Sequence, residues 1–101
     1  MKLLIAGDDT FDDVNLFKER CDALLVNSTD IEIVFTGDTA LDTLAAIYAL
    51  AEDYPVMQFK SLADAVQYSD ASIIFWNSEQ DTPMADLIEI AKDMKYRIVR
   101  Y

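Results

Sequence analysis

Two glycines and the acids beside them are the residues of this chain best placed to do chemistry. Gly7 and Gly37 are its only glycines, and each closes a short apolar run, residues 2–6 and 31–36, just ahead of a helix-like stretch. Glycine at a strand-to-helix turn admits φ > 0 and lets a phosphate approach the free N–H groups of the helix that follows. Aspartate follows both glycines, as Asp8 and Asp9 after the first and Asp38 after the second. The turn pattern is that of an anion site, and the charge opposes one. With backbone carbonyls, Asp8 and Asp38 would instead suit an oxygen-seeking cation such as Mg²⁺ or Ca²⁺, although no calcium-loop spacing is present. Trp76 could stack on a flat ring, and Thr10, Thr39, Asn77 and Thr82 could donate or accept hydrogen bonds beside it.

Each of these residues also has a structural reading. Thr10-x-x-Asp13, Thr39-x-x-Asp42 and Ser61-x-x-Asp64 fit the capping-box spacing, in which a hydroxyl and a carboxyl satisfy N–H groups of a helix's first turn. Thr82-Pro83 reads as an N-cap followed by proline at the first helical position. Trp76 and Tyr68, either of which could stack on a base or ribose, are beside so apolar a strand more often core aromatics, Asn77 and Ser78 are ordinary turn residues, and the remaining loop acids simply face water. Cys21, the single cysteine, falls on the apolar stripe of a helix and reads as core packing in a reducing compartment.

Composition narrows the chemistry further. The chain has no histidine, which excludes Ser-His and Cys-His catalysis and removes the commonest metal ligand. Its formal charge is −11, and four of the eight basic residues, Lys92, Lys95, Arg97 and Arg100, fall in the last ten positions. A surface this acidic repels nucleic-acid backbones and anionic membranes, so neither is an expected partner, whereas a basic protein is. No apolar run approaches a membrane span and no leader-like segment opens the chain, which points to the cytoplasm. With 52% hydrophobic residues over 101 positions, one self-folding domain over residues 1–101 is expected.

The elements that must position these residues alternate as β-α-β-α-β-α-β-α-β. Strands are expected at 2–6, 31–36, 55–59, 71–76 and 97–101, and helices at 12–26, 40–53, 62–69 and 83–95. The first helix would bury Val14, Phe17, Cys21, Leu24 and Leu25, and the second Leu41, Leu44, Ala45, Tyr48 and Ala49. Residues 71–76 are apolar nearly throughout, as a central strand covered on both faces requires. Right-handed crossovers give a three-layer α/β domain with a five-stranded parallel sheet. In the Rossmann-like order 3-2-1-4-5, the loops after strands one and four line the crevice and the loop after strand two flanks it.

Gly7-Asp8-Asp9-Thr10-Phe11-Asp12, the run Thr36-Gly37-Asp38-Thr39-Ala40-Leu41-Asp42, Asp81-Thr82 and the segment 68–76 together resemble the SLOG superfamily of Rossmann-like domains. The likeness is closest to its small stand-alone branch. There, the corresponding loops are of the types Gly-Ser-Arg-Asp-Phe and Gly-Gly-Ala-Arg-Gly-x-Asp-x-x-Ala, and a late Gly-Thr opens the last helix. The resemblance implies a Rossmann-like fold and a nucleotide or ADP-ribose-type ligand at Gly7, Asp8, Thr10, Gly37, Asp38, Thr39, Trp76, Asn77 and Thr82. The departures fall on phosphate-binding positions: acid replaces the first loop's arginine, the second loop loses its arginine and all but one glycine, and Asp81 stands for the last glycine. One carboxylate about 4 Å from a phosphate charge opposes it by roughly 4 kcal/mol at an effective dielectric near 20, about three decades of affinity. A bridging Mg²⁺ reverses that sign. Paired acids after strand one are also found in response-regulator receiver domains, but the phosphoacceptor aspartate that family needs at the end of its third strand has no clear counterpart; the apolar strand here ends in Phe75-Trp76-Asn77.

Three readings stand at this level. The first is a non-catalytic module that binds a nucleotide-derived small molecule, with Mg²⁺ as the cofactor its acids suit. The second is an acidic module, of the kind carried by phages or plasmids, that docks on a basic partner after its pocket has decayed. The third is a metal-assisted nucleotide hydrolase. Edge strands three and five leave homo-oligomers open.

Overall fold

A computed structural model describes residues 1–7, 11, 13–37, 40–76 and 95–100, with Trp76 and 95–100 described by their backbone. The elements are β1 (Lys2–Gly7), α1 (Val14–Leu25), β2 (Glu32–Thr36), α2 (Ala40–Ala51), β3 (Val56–Phe59), α3 (Leu62–Tyr68), β4 (Ala71–Trp76) and β5 (Lys95–Arg100). The molecule is α/β, and its parallel sheet runs β3-β2-β1-β4, the Rossmann-like order expected. The backbone of β5 lies parallel beside β4, from Ala71↔Lys95 to Trp76↔Arg100. This strand begins at Lys95, not Arg97 as expected, so it matches all six residues of β4; Lys95 belongs to the strand and not to the preceding helix. That helix, expected at 83–95, otherwise lies outside the described residues.

Alternation along the strands builds two cores. Leu3, Ile5, Ile33, Phe35, Ile73 and Phe75 face α1 and α2, which contribute Phe17, Cys21, Leu41, Ala45 and Tyr48. Leu4 and Val34 face the other way, toward Ala65 of α3. An aromatic row strengthens the first core: Phe11 stacks on Phe75 at 4.6 Å, Phe75 on Phe17 at 5.2 Å, and Phe17 meets the edge of Tyr48 at 5.6 Å.

The caps differ from expectation at α1 and agree at α3. Asp13 is itself the N-cap of α1, its Oδ1 accepting from the Leu16 N–H at 3.0 Å, so it does not act as the third-position partner of a Thr10 cap. Aspartate caps as well as threonine does, and a start at Val14 leaves that residue 57% exposed, off the buried face assigned to it. Ser61 caps α3 through the Asp64 N–H, as its spacing predicts. The helix α2 ends in a Schellman pattern: the Tyr54 N–H donates to the Ala49 carbonyl and the Asp53 N–H to that of Leu50, with Asp53 at φ 60°.

Candidate functional site

The carboxyl edge of the sheet holds Gly7, Gly37 and Trp76. Gly7 is level with Phe75 in the β1–β4 register, and the β1–β2 offset that pairs Leu4 with Val34 brings Gly7 level with Gly37. Both glycines have positive φ, 147° and 71°. The strand order reverses between β1 and β4, so the topological switch point opens at this edge.

The two glycines serve different ends. A Cβ on Gly7 would stand 2.1 Å from the Phe75 carbonyl oxygen and 2.8 Å from its nitrogen, so β1 closes on the backbone of β4 only because this residue has no side chain. That requirement is one of packing, and it holds with or without a ligand. Gly37 has room: the nearest atom to its added Cβ is Oδ2 of Asp42, at 3.4 Å. Its constraint is the left-handed backbone, and its carbonyl accepts from Nε2 of Gln58 at 3.0 Å.

Gly37, Asp42, Thr43 and Gln58 meet around a shallow cleft of about 300 Å³ floored by Phe35 and walled by Ile47. This cleft flanks the carboxyl edge on the β2 side, where the strand-two loop was expected. Asp42 is buried to 7% exposure in the first turn of α2, where its negative charge favours the N–H groups of that turn. Sequence reasoning treated Asp42 as a cap partner and left out Gln58. The signal for Gln58 was strand alternation, which puts it opposite Phe35 on the α2 face of β3. Phe11 was also missed as a core residue, although an aromatic in a loop of acids is itself a sign of an anchor; it is 1% exposed.

Asp8, Thr10, Asp38, Thr39, Asn77 and Thr82 lie outside the described residues, and so do both proposed cation ligands, Asp8 and Asp38. Among the described residues, no group of three or more acids or cysteines is gathered closely enough to hold a metal.

Other polar groups belong to scaffolding away from this edge. Tyr68 is not at the crevice: it donates to Glu32 at the amino end of the sheet, lies tilted against the Phe59 ring at 5.1 Å, and has Lys2 Nζ 4.2 Å from its ring centre. Lys18 Nζ bridges Asp22 at 2.6 Å and Glu52 at 3.2 Å, and the Tyr48 hydroxyl donates to Asp22 at 2.6 Å, which ties α1 to the end of α2. The bonds from Lys18 and Tyr48 hold the Asp22 carboxyl below its ordinary range, and burial, with that same bond, pushes the Tyr48 hydroxyl up. Burial also pushes the Cys21 thiol up to about 12, which suits the core role expected for it and not that of a nucleophile.

No family model, curated protein or solved structure matches the chain. Among the described residues, no helix is long and apolar enough to cross a membrane.

Proposed function

We propose that the chain is a five-stranded Rossmann-like domain of the SLOG type, and that it binds a nucleotide or ADP-ribose-type small molecule without catalysis. The observation that carries this reading is the coincidence of the switch point with two positive-φ glycines on one sheet edge. In this reading, Gly7 and Gly37 frame the crevice, and Thr10, Thr39, Asn77 and Thr82 supply hydrogen bonds. Trp76 stacks on the base, and Asp8 and Asp38 hold Mg²⁺ between the protein and the ligand's phosphates. Calorimetry against a nucleotide panel, with and without Mg²⁺, tests it. Binding that appears only with Mg²⁺ and is lost in Asp8→Asn supports the reading, and no heat at millimolar ligand ends it.

The net charge of −11 favours a second reading, in which the acidic surface docks on a basic protein. Such a complex weakens steeply as salt rises; a complex indifferent to salt counts against it.

A further inference from the structure

The margin of the sheet formed by β3 and α2 is unlike the rest of this acidic molecule. The run Tyr54–Phe59 contains no charged residue, and the only charge in α2, Asp42, is buried. The helix is apolar on nearly every side, a composition that normally means cover on both faces. Its outer stripe is nevertheless open, with Ile47 57% and Leu50 82% exposed, and Val56 of β3 is 48% exposed. Thr43, Ala46 and Ile47 line one cleft with Gln58, so this stripe of α2 borders β3. At the other margin, β5 carries Lys95, Arg97 and Arg100, a run of like charges that guards an edge against its own copy.

The hydrogen-bond register defines what β3 offers. The Ile33 N–H donates to the Pro55 carbonyl, and Ile33 and Phe35 pair with Val56 and Gln58. In a parallel ladder this turns Pro55, Met57 and Phe59 toward β2, and leaves the N–H and C=O of Val56 and Gln58 directed away from the sheet. Among the described residues, no strand lies beyond β3.

We propose that this margin binds a second copy of the chain, with β3 pairing antiparallel to its partner about a two-fold axis at Met57. Two outward residues spaced by one are self-complementary in that arrangement. Val56 exchanges both bonds with the partner's Gln58, Gln58 does the same with the partner's Val56, and the two Met57 residues face each other as the non-hydrogen-bonded pair. The two α2 helices then lie on the same face of the joined sheets, one on either side of the seam. Two copies at −11 repel everywhere else, so an uncharged margin is where they can meet.

Sedimentation equilibrium of the full chain between low salt and 1 M salt is the test, at up to ~1 mM protein, so that even a weak Kd is visible. The expected result is a mass of twice 11.4 kDa, with a dimer fraction that rises with salt as repulsion is screened. Val56→Pro removes an outward N–H that the native ladder does not use, and Met57→Glu, at a residue 38% exposed, sets two like charges opposite each other across the two-fold axis. Each weakens the dimer on the order of tenfold or more while leaving the far-UV spectrum unchanged. Met57→Cys, oxidised with diamide, gives a covalent dimer, and Val14→Cys on α1 does not; buried Cys21 does not compete. A single-copy mass at ~1 mM in 1 M salt overturns the proposal. A dimer that dissociates as salt rises, or one that Met57→Cys fails to cross-link, overturns it as well.

Discussion

Gly7 and Gly37 look alike in the sequence, yet they face different physical limits. Substituting alanine for Gly7 drives a methyl group into the backbone of β4, with no flexible side chain to move aside. Gly7→Ala is expected to cost more than about 3 kcal/mol, because a φ that only glycine tolerates is compounded by a backbone clash. Gly37→Ala meets only Asp42 Oδ2 at contact distance and carries the left-handed penalty of about 1–2 kcal/mol. Urea unfolding of the two variants checks the order; equal losses would contradict it. The sequence marked both glycines as special through their place after apolar runs. It could not show that one is special for packing, because the approach of β1 to Phe75 arises only once β4 has joined the sheet. Asp13 shows a similar limit. The Thr10-x-x-Asp13 spacing fitted a capping box with Asp13 as the carboxyl partner, whereas the backbone makes Asp13 the cap itself.

The helices α1 and α2 are held in register by a polar tie over an apolar seam. The depressed Asp22 carboxyl and the raised Tyr48 hydroxyl assign the pH windows in which that tie contributes. A lowered carboxyl stabilises the fold above the unfolded value of about 3.9, and the contribution is lost as pH falls through the folded value. The raised hydroxyl contributes fully below about 10 and is lost only as pH rises through its higher folded value. The stability difference between the wild type and Asp22→Asn is therefore expected to be flat from pH 5 to 9 and to shrink below pH 4. A difference that persists undiminished at pH 2 would show that the charge of the carboxylate contributes nothing to it. The end of α2 offers a gain: Asp53 occupies the left-handed position of the Schellman pattern, where glycine carries no Cβ penalty. Asp53→Gly is expected to raise stability by ~0.5–1 kcal/mol, seen as a higher urea midpoint at constant slope. Neither the tie nor the Schellman end was legible beforehand. Tyr48 was read correctly as buried, but its partner sits on another helix, and the expected end of the second helix at residue 53 lies two residues beyond Ala51.

For the whole molecule, the alternation of strand and helix was the most legible feature. The short apolar runs of β1, β2 and β4 and the crossover rule pointed to a parallel sheet, and its order β3-β2-β1-β4 followed from the Rossmann-like pattern supposed for it. The candidate site was less legible, because much of it depends on loops whose acids fit several chemistries, and its described part adds Asp42 and Gln58 through contacts between elements. The charge of −11 acts at this same scale through self-repulsion. Raising salt from about 0.01 to 0.15 M shortens the screening length from roughly 30 to 8 Å and is expected to stabilise the fold. A gain of about 1 kcal/mol is read as roughly 4–8 °C in Tm for a chain of this size. Dilute Val56→Pro protein separates this effect from assembly, and a Tm unmoved by salt would mean the charges are already compensated locally.

Phe75 joins two anchors: the backbone of Gly7 closes on its peptide, and the ring of Phe11 stacks on its ring. The chain that leaves β1 is thus fastened twice to one residue of β4, and the next residue after it is the protein's only tryptophan. Nature has in effect placed an indole chromophore one peptide beyond the fastening. Its emission can follow the unfolding of the chain without any label.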